Sequence, residues 1–246
     1  MTSKEAIIYQ LKKLKGKPLK DQIVYIFTYF WEPILGVLIA LALGGYLIFH
    51  FATAKEEALN VVCLNSFAGE EASDSFCREF AQAAGIDPEK EMVRLNMGMV
   101  VSDALPTETY EAIQALSAQV AAGTVDVMVG DLDAMGIFLY QDYFCDLTQV
   151  LTPQQLTQLQ GSLLYIDLVY MEAKLSGEEV PTPFPDPAKP EEMEQPVPVA
   201  LLLPQENSFR QMCYGSITTP IVVGLVVNSG NAQNALAFLD YIFPET

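Results

Sequence analysis

From Pro33 to Ala52 the chain reads PILGVLIALALGGYLIFHFA, with no charged residue. A helix needs about 20 such residues to cross roughly 30 Å of hydrocarbon, so this stretch predicts a transmembrane helix. Ahead of it, KEAIIYQLKKLKG places Ile7, Ile8, Leu11 and Leu14 on one helical face with lysines elsewhere. That pattern fits either an amphipathic helix lying on an anionic leaflet or a solvated basic tail. Beyond residue 53 the pattern changes to short apolar runs alternating with amphipathic ones. ALNVVCLNSF (58–67), EMVRLNMGMVV (91–101), TVDVMVG (124–130), PVALLLP (198–204) and TPIVVGLVVNS (219–229) read as strands. SLLYIDLVYMEAKL (162–175) favours a strand at its β-branched and aromatic centre.

Helices are predicted between these runs from their stop and start signals. SDSFCREFAQAAG (73–85) has Ser73 as N-cap and Gly85 as stop, and 105–123 has Thr107 as cap, Glu108 and Glu111 in the first turn, and Gly123 at its end. LDAMGIFLYQDYF (132–144) and NAQNALAFLDYIF (231–243) follow strands directly. Thr152, Pro153 and Gln155 form a cap, a first-turn proline and a capping-box partner. Alternation of this length predicts an α/β domain with a mainly parallel sheet and flanking helices, following one N-terminal transmembrane helix. Residues 176–198 interrupt it with seven of the chain's fifteen prolines. That segment excludes helix and central strand, and predicts an extended surface loop.

Charge divides the chain in the same places. The formal net charge is −18, yet residues 1–22 carry Lys4, Lys12, Lys13, Lys15, Lys17 and Lys20 against only Glu5 and Asp21. The lysines put the amino terminus in the cytoplasm by the positive-inside rule, and Tyr25, Tyr29 and Trp31 stand where an aromatic belt belongs. Three segments result: a basic cytoplasmic tail over 1–22, a membrane anchor over 23–52 with 33–52 in the bilayer, and an extracellular domain over 53–246. Ala52-Thr53-Ala54 also has the form of a signal-peptide cleavage site, but the apolar run and its basic leader are both too long for one. Gly36, Ala40 and Gly44 have the spacing that lets a second membrane helix approach. The acidic outer domain repels phosphate backbones, which excludes nucleic acid as its partner.

Catalytic chemistry has no sequence signature here. His50 is the single histidine, at the membrane boundary, and there is no G-x-S-x-G, HExxH or phosphate loop, so neither an enzyme nor a cofactor is expected. Cys63, Cys77, Cys145 and Cys213 show no CxxC or Cys/His spacing, so no metal site is expected. Two disulfides in three pairings are open to them in an oxidising compartment, with free thiols favoured because Cys63 and Cys77 lie in regular elements. Polar residues gather instead at strand ends: Asn65, Ser66 and Phe67 after the first strand, Gly130, Asp131 and Asp133 after the third, Asn228 and Ser229 after the last. In a parallel sheet ligands sit at such carboxyl ends, while turns and caps use the same residue types.

QALSAQVAAGTVDVMVGDLDAM (114–135), the apolar helix after it, DLTQVL (146–151) and VVGLVVNSGNAQNALAFLDYIF (222–243) resemble the first lobe of extracellular solute-binding proteins, the type 2 periplasmic-binding fold. The likeness covers most of 58–151 and 197–243. It implies a single lobe of that fold, tethered to the membrane of a Gram-positive bacterium, with the eight strand-end residues as its ligand or partner surface. Only about fifty residues separate Leu147 from Val197, which leaves no room for a second lobe. The resemblance therefore implies a noncatalytic interaction or scaffold module that meets an envelope protein. Its alternative is an open single-lobe binder of a small solute or peptide that serves a transporter.

Overall fold

The computed structural model describes residues 18–53, 55–102 and 104–244, and divides the chain into two units, 1–54 and 55–246. The proposed amphipathic segment before Lys17, and Ala54 of the cleavage-site motif, lie outside the described residues.

The described residues of the first unit form the helix α1, Leu19–Thr53, 35 residues. The uncharged stretch falls within it, but the side chains of Pro33, Phe51 and Ala52 at its two ends, and those of Tyr25 and Tyr29, lie outside the description. Among the described residues no helix is long and apolar enough to cross a membrane. Over the uncharged stretch of α1, Val37, Leu38, Leu41, Leu43, Ile48 and Phe49 are each more than half exposed.

The second unit opens with β1 (Glu56–Cys63), α2 (Glu70–Ala84), β2 (Glu91–Asn96), α3 (Pro106–Ala121) and β3 (Val127–Asp131). Next come α4 (Leu132–Leu139), α5 (Leu147–Val150), α6 (Pro153–Gln158), a one-turn 3₁₀ helix, β4 (Leu163–Asp167) and α7 (Leu168–Leu175). A second 3₁₀ turn precedes β5 (Pro196–Leu203), α8 (Ser208–Tyr214), β6 (Ile221–Leu225) and α9 (Ala232–Ile242). The strands form one sheet in the order β2-β1-β3-β6-β5-β4. One apolar cluster on it gathers Leu59, Val61, Phe80, Phe209 and Phe238; another gathers Val62, Leu116, Met128, Met135 and Phe138. Alternate residues of β1 feed the two clusters, as a strand buried on both faces must.

The sheet is mixed rather than mainly parallel. β1 pairs in parallel with β2 and β3, whereas β3–β6, β6–β5 and β5–β4 are antiparallel. Strand direction leaves no mark on an apolar run buried on both faces, and the long connection from α7 to β5 leaves the direction of return free. Several boundaries also move. Ser73 is not a cap but a buried residue inside α2, whose N-cap is Gly69. Thr107 lies inside α3, which begins at Pro106 after Leu105. α8 has no counterpart among the predicted elements, and the 162–175 run is a strand followed by a helix. The capping box at Thr152 is present in full, and Gly85 closes α2 in the left-handed region at φ 70°.

The proline-rich segment is a strap held against the domain. Phe184 packs on Tyr140, with ring centroids 5.4 Å apart, and over Gly136, where a Cβ would lie 2.8 Å from the Phe184 ring. The Tyr140 hydroxyl donates to the Pro185 carbonyl at 3.2 Å, and burial pushes its pKa up to about 12. The backbone N–H of Tyr165 donates to the Pro187 carbonyl at 2.8 Å, which covers part of the outer side of the edge strand β4. Contrary to the sequence expectation, β5 takes in Pro196 and Val197 as well, which together with Pro198 pair only with β4 at the sheet edge.

Asp167 holds the end of the strap. Its carboxylate accepts N–H groups from Glu194 at 2.9 Å and Gln195 at 3.1 Å, and caps α7 through Val169 at 3.2 Å. Burial pushes this carboxyl up, but the backbone donors outweigh it and hold the pKa below the usual range. The stability it confers is therefore present above the unfolded carboxyl value near 3.9 and is lost as pH falls through the lower folded value. Asp167→Ala is expected to cost about 2 kcal/mol at neutral pH. Urea denaturation of both proteins across pH should show that gap closing below about pH 4.

Candidate functional site

Parallel pairing of β1, β2 and β3 brings their carboxyl ends to one edge of the sheet, where α2, α3 and α4 also begin. Asn65 follows β1 with φ +55°, a left-handed conformation that asparagine adopts more readily than most residues. Its side chain completes the sheet. Oδ1 accepts the Val101 N–H at 2.8 Å, and Nδ2 donates to the Val101 carbonyl at 2.8 Å and to Asp131 Oδ2 at 2.7 Å.

Asp131 is the N-cap of α4, with Oδ1 accepting the Ala134 N–H at 3.0 Å. Both of its oxygens are thus engaged within the chain. Asp133 sits exposed in the first turn of α4, where a carboxylate complements the helix dipole. Gly130 is buried, and a Cβ there would press on Leu64 at 3.1 Å and Met135 at 3.2 Å, so it serves packing.

The neighbouring rim is tied to α8. Ser66 Oγ donates to the Cys213 carbonyl at 3.1 Å, and the Phe67 N–H donates to the same oxygen at 2.8 Å. Tyr214, whose pKa is raised mainly by burial and so stays protonated, donates to the Leu64 carbonyl at 3.0 Å. The Phe67 ring itself is 73% exposed, a large apolar side chain standing free on the edge.

Asn228 and Ser229 do not belong to this edge. β6 runs antiparallel to β3, with Leu225 opposite Val127, so its carboxyl end reaches the opposite pole. There Ser229 Oγ donates to Asp126 Oδ1 at 2.6 Å, and Asn228, at φ +59°, turns its carbonyl toward Gly123. A Cβ on Gly123 would lie 2.8 Å from that oxygen, and its φ of +67° also favours glycine. Asp126 is 1% exposed and accepts the Asn60 N–H at 2.7 Å and Asn231 Nδ2 at 3.2 Å. Asn231 and Asn234 also donate to the carbonyls of Glu57 and Ala58.

These polar core residues escaped the sequence reading. Their signal was a lone Asp and a lone Asn inside apolar strands, each needing buried partners. Arg210, 1% exposed in α8, is a third. Its guanidinium donates to Gln205 Oε1 at 2.6 Å and to the carbonyls of Ile217 and Thr219, which shapes the turn whose Pro220 carbonyl receives the Leu132 N–H.

A groove of about 750 Å³ lies elsewhere, between α6 and the end of α9, with Gln155, Leu159, Asn207, Asp240 and Phe243 among its walls. None of the eight strand-end candidates lines it. Among the described residues no three His, Cys, Asp or Glu side chains converge to hold a metal ion.

No family model and no curated protein matches the chain. Two solved structures are similar to it in part. An ABC substrate-binding protein from Listeria monocytogenes, solved in complex with cycloalternan, matches 52% of this chain at 15% identity and a TM-score of 0.26; the matched part is 35% of that protein. The periplasmic binding protein P5PA matches 76% of this chain and 80% of its own at 11% identity and a TM-score of 0.31. The chain spans about a third of the Listeria protein's length. Both neighbours are binding proteins, and at these TM-scores neither locates a site in this chain.

The two aspartates at the edge separate by substitution. Asp131→Ala removes a cap and the partner of Asn65, and should cost about 1 to 2 kcal/mol in urea denaturation. Asp133→Ala should stay within about 0.5 kcal/mol of the parent.

Proposed function

We propose that this protein is a noncatalytic, membrane-anchored outer domain that works as an interaction module, meeting another envelope protein through the carboxyl edge of its sheet. One observation carries the choice of a protein surface over a solute site. The polar side chains that would grip a solute, Asn65 and Asp131, have their hydrogen-bonding capacity engaged within the edge, while Phe67 projects 73% exposed beside them. Solute sites are concave and aim a few free polar groups at the ligand, whereas an exposed aromatic on a rigid edge is the usual anchor of a protein interface. The groove of about 750 Å³ between α6 and α9 is lined by other residues.

The anchor part of the proposal rests on the uncharged run 33–52 and on its exposed apolar side chains. Water is a poor solvent for so long an uncharged, exposed run, and lipid is a good one. The basic residues before it place the amino terminus inside and the acidic domain outside. The likeness of residues 114–135 to solute-binding proteins supports descent from such a lobe, with transporter-linked solute capture as the competing use of the same edge.

Site-specific photocrosslinking tests the choice. A photoreactive phenylalanine analogue at position 67 should join the protein to one discrete envelope partner in cells, and the same probe at Tyr110 on α3 should not. A thermal-shift screen of the purified chain against sugars, amino acids and peptides should stay flat. A solute at a hundred times its dissociation constant would add about 2.7 kcal/mol, and such a shift, abolished by Phe67→Ala, would replace the interaction reading with solute capture.

A further inference from the structure

Cys63 ends β1 and Cys213 sits in α8, and both are wholly buried in the same apolar cluster, with free thiols. The strand–helix junction brings them together, because the chain just after Cys63 is bonded to α8 at Cys213 and Tyr214. Directly above them lie the contacts that hold the rim: Ser66 and Phe67 on the Cys213 carbonyl, and Tyr214 on the Leu64 carbonyl. Cys77, on α2, lies near enough to interact with both thiols but is only partly buried and makes no contact with the rim, and Cys145 lies in a different segment. The neighbouring Cys213 thiol, with burial behind it, pushes the Cys63 thiol well above its ordinary pKa, so it is a poor nucleophile while the junction is closed. Oxidation of the pair therefore belongs to the folding chain, or to a moment when β1 and α8 part.

We propose that Cys63 and Cys213 form a reversible disulfide that locks the interaction rim to α8 when the chain folds in an oxidising compartment. The proposal rests on the extracellular placement given above. The chemistry is thiol–disulfide exchange with a protein or small-molecule disulfide as oxidant. One cysteine, as thiolate, attacks the oxidant and releases its first sulfur as a thiol. The other then attacks the mixed disulfide and releases the second, so that two electrons and two protons pass from the pair to the oxidant, which leaves as two thiols. The bond closes the loop from 63 to 213 and restricts the unfolded chain.

The test refolds the full chain in detergent micelles with oxidised and reduced glutathione, then alkylates it without reductant and maps the peptides. A 63–213 link with Cys77 and Cys145 alkylated is expected, together with a melting temperature about 5 to 10 °C above that of the reduced protein. The double variant Cys77→Ala/Cys145→Ala should keep both the link and the shift. Four alkylated cysteines, or a link to any other position, overturns the pair. The same mapping on protein taken from cells separates the two proposals: a link formed in vitro but absent in cells refutes the oxidising placement and leaves the pair intact.

Discussion

Asp126 is the constraint on which the rest of the outer domain depends. A carboxylate 1% exposed is costly unless every lone pair finds a donor, and this one is held by donors from β1, from the turn after β6 and from the start of α9. Those three segments are far apart in sequence and adjacent in space only if β6 enters the sheet antiparallel beside β3. The buried charge thus selects the pairing that apolar strands alone would leave open. It also decides which polar residues can form a surface together. Ser229 is committed to Asp126 and Asn228 to the turn against Gly123 at one pole, so the opposite edge is left to Asn65, Ser66, Phe67 and the start of α4.

That second edge is built on the same principle. Asn65 stands in for the missing strand neighbour of Val101, Asp131 caps α4 and receives Asn65, and Arg210 holds the turn that meets Leu132. The side chains of Asn65 and Asp131 are satisfied by the chain itself, which makes the edge rigid and leaves its exposed aromatic to do the recognising. The strap between α7 and β5 does the corresponding work at β4: Phe184 pins it to Tyr140, and the Pro187 carbonyl takes the outward Tyr165 N–H of an edge strand that would otherwise invite pairing with another chain.

Much of this was legible in the residues. The strands at 58–67 and 124–130, the capping box at Thr152 and the glycine stop at Gly85 follow from local signals that do not depend on distant contacts. The sharing of one edge by Asn65 and Asp131 followed from parallel strands β1 and β3. Strand direction in the second half was not legible, because Pro196–Leu203 and Ile221–Leu225 read alike in either orientation, and the error carried Asn228 and Ser229 to the wrong pole. Ser73 and Thr107 looked like caps because serine and threonine favour that position, yet Gly69 and Leu105 occupy it and tertiary packing set the helix starts. α8 was hidden by its length, seven residues with no repeating apolar period, although it carries Arg210, Cys213 and Tyr214.

Hydrogen exchange at the carboxyl edge tests most directly whether its polar groups are engaged within the chain. If they are, the backbone amides of Asn65 and Val101, bonded to the Met99 carbonyl and to Asn65 Oδ1, exchange as slowly as that of Val62 in the body of β1. Exchange at the rate of an open loop, in native protein without partner or solute, would mean that these groups face water and stand ready for a ligand, and would contradict the reading of this edge as a self-satisfied interaction surface.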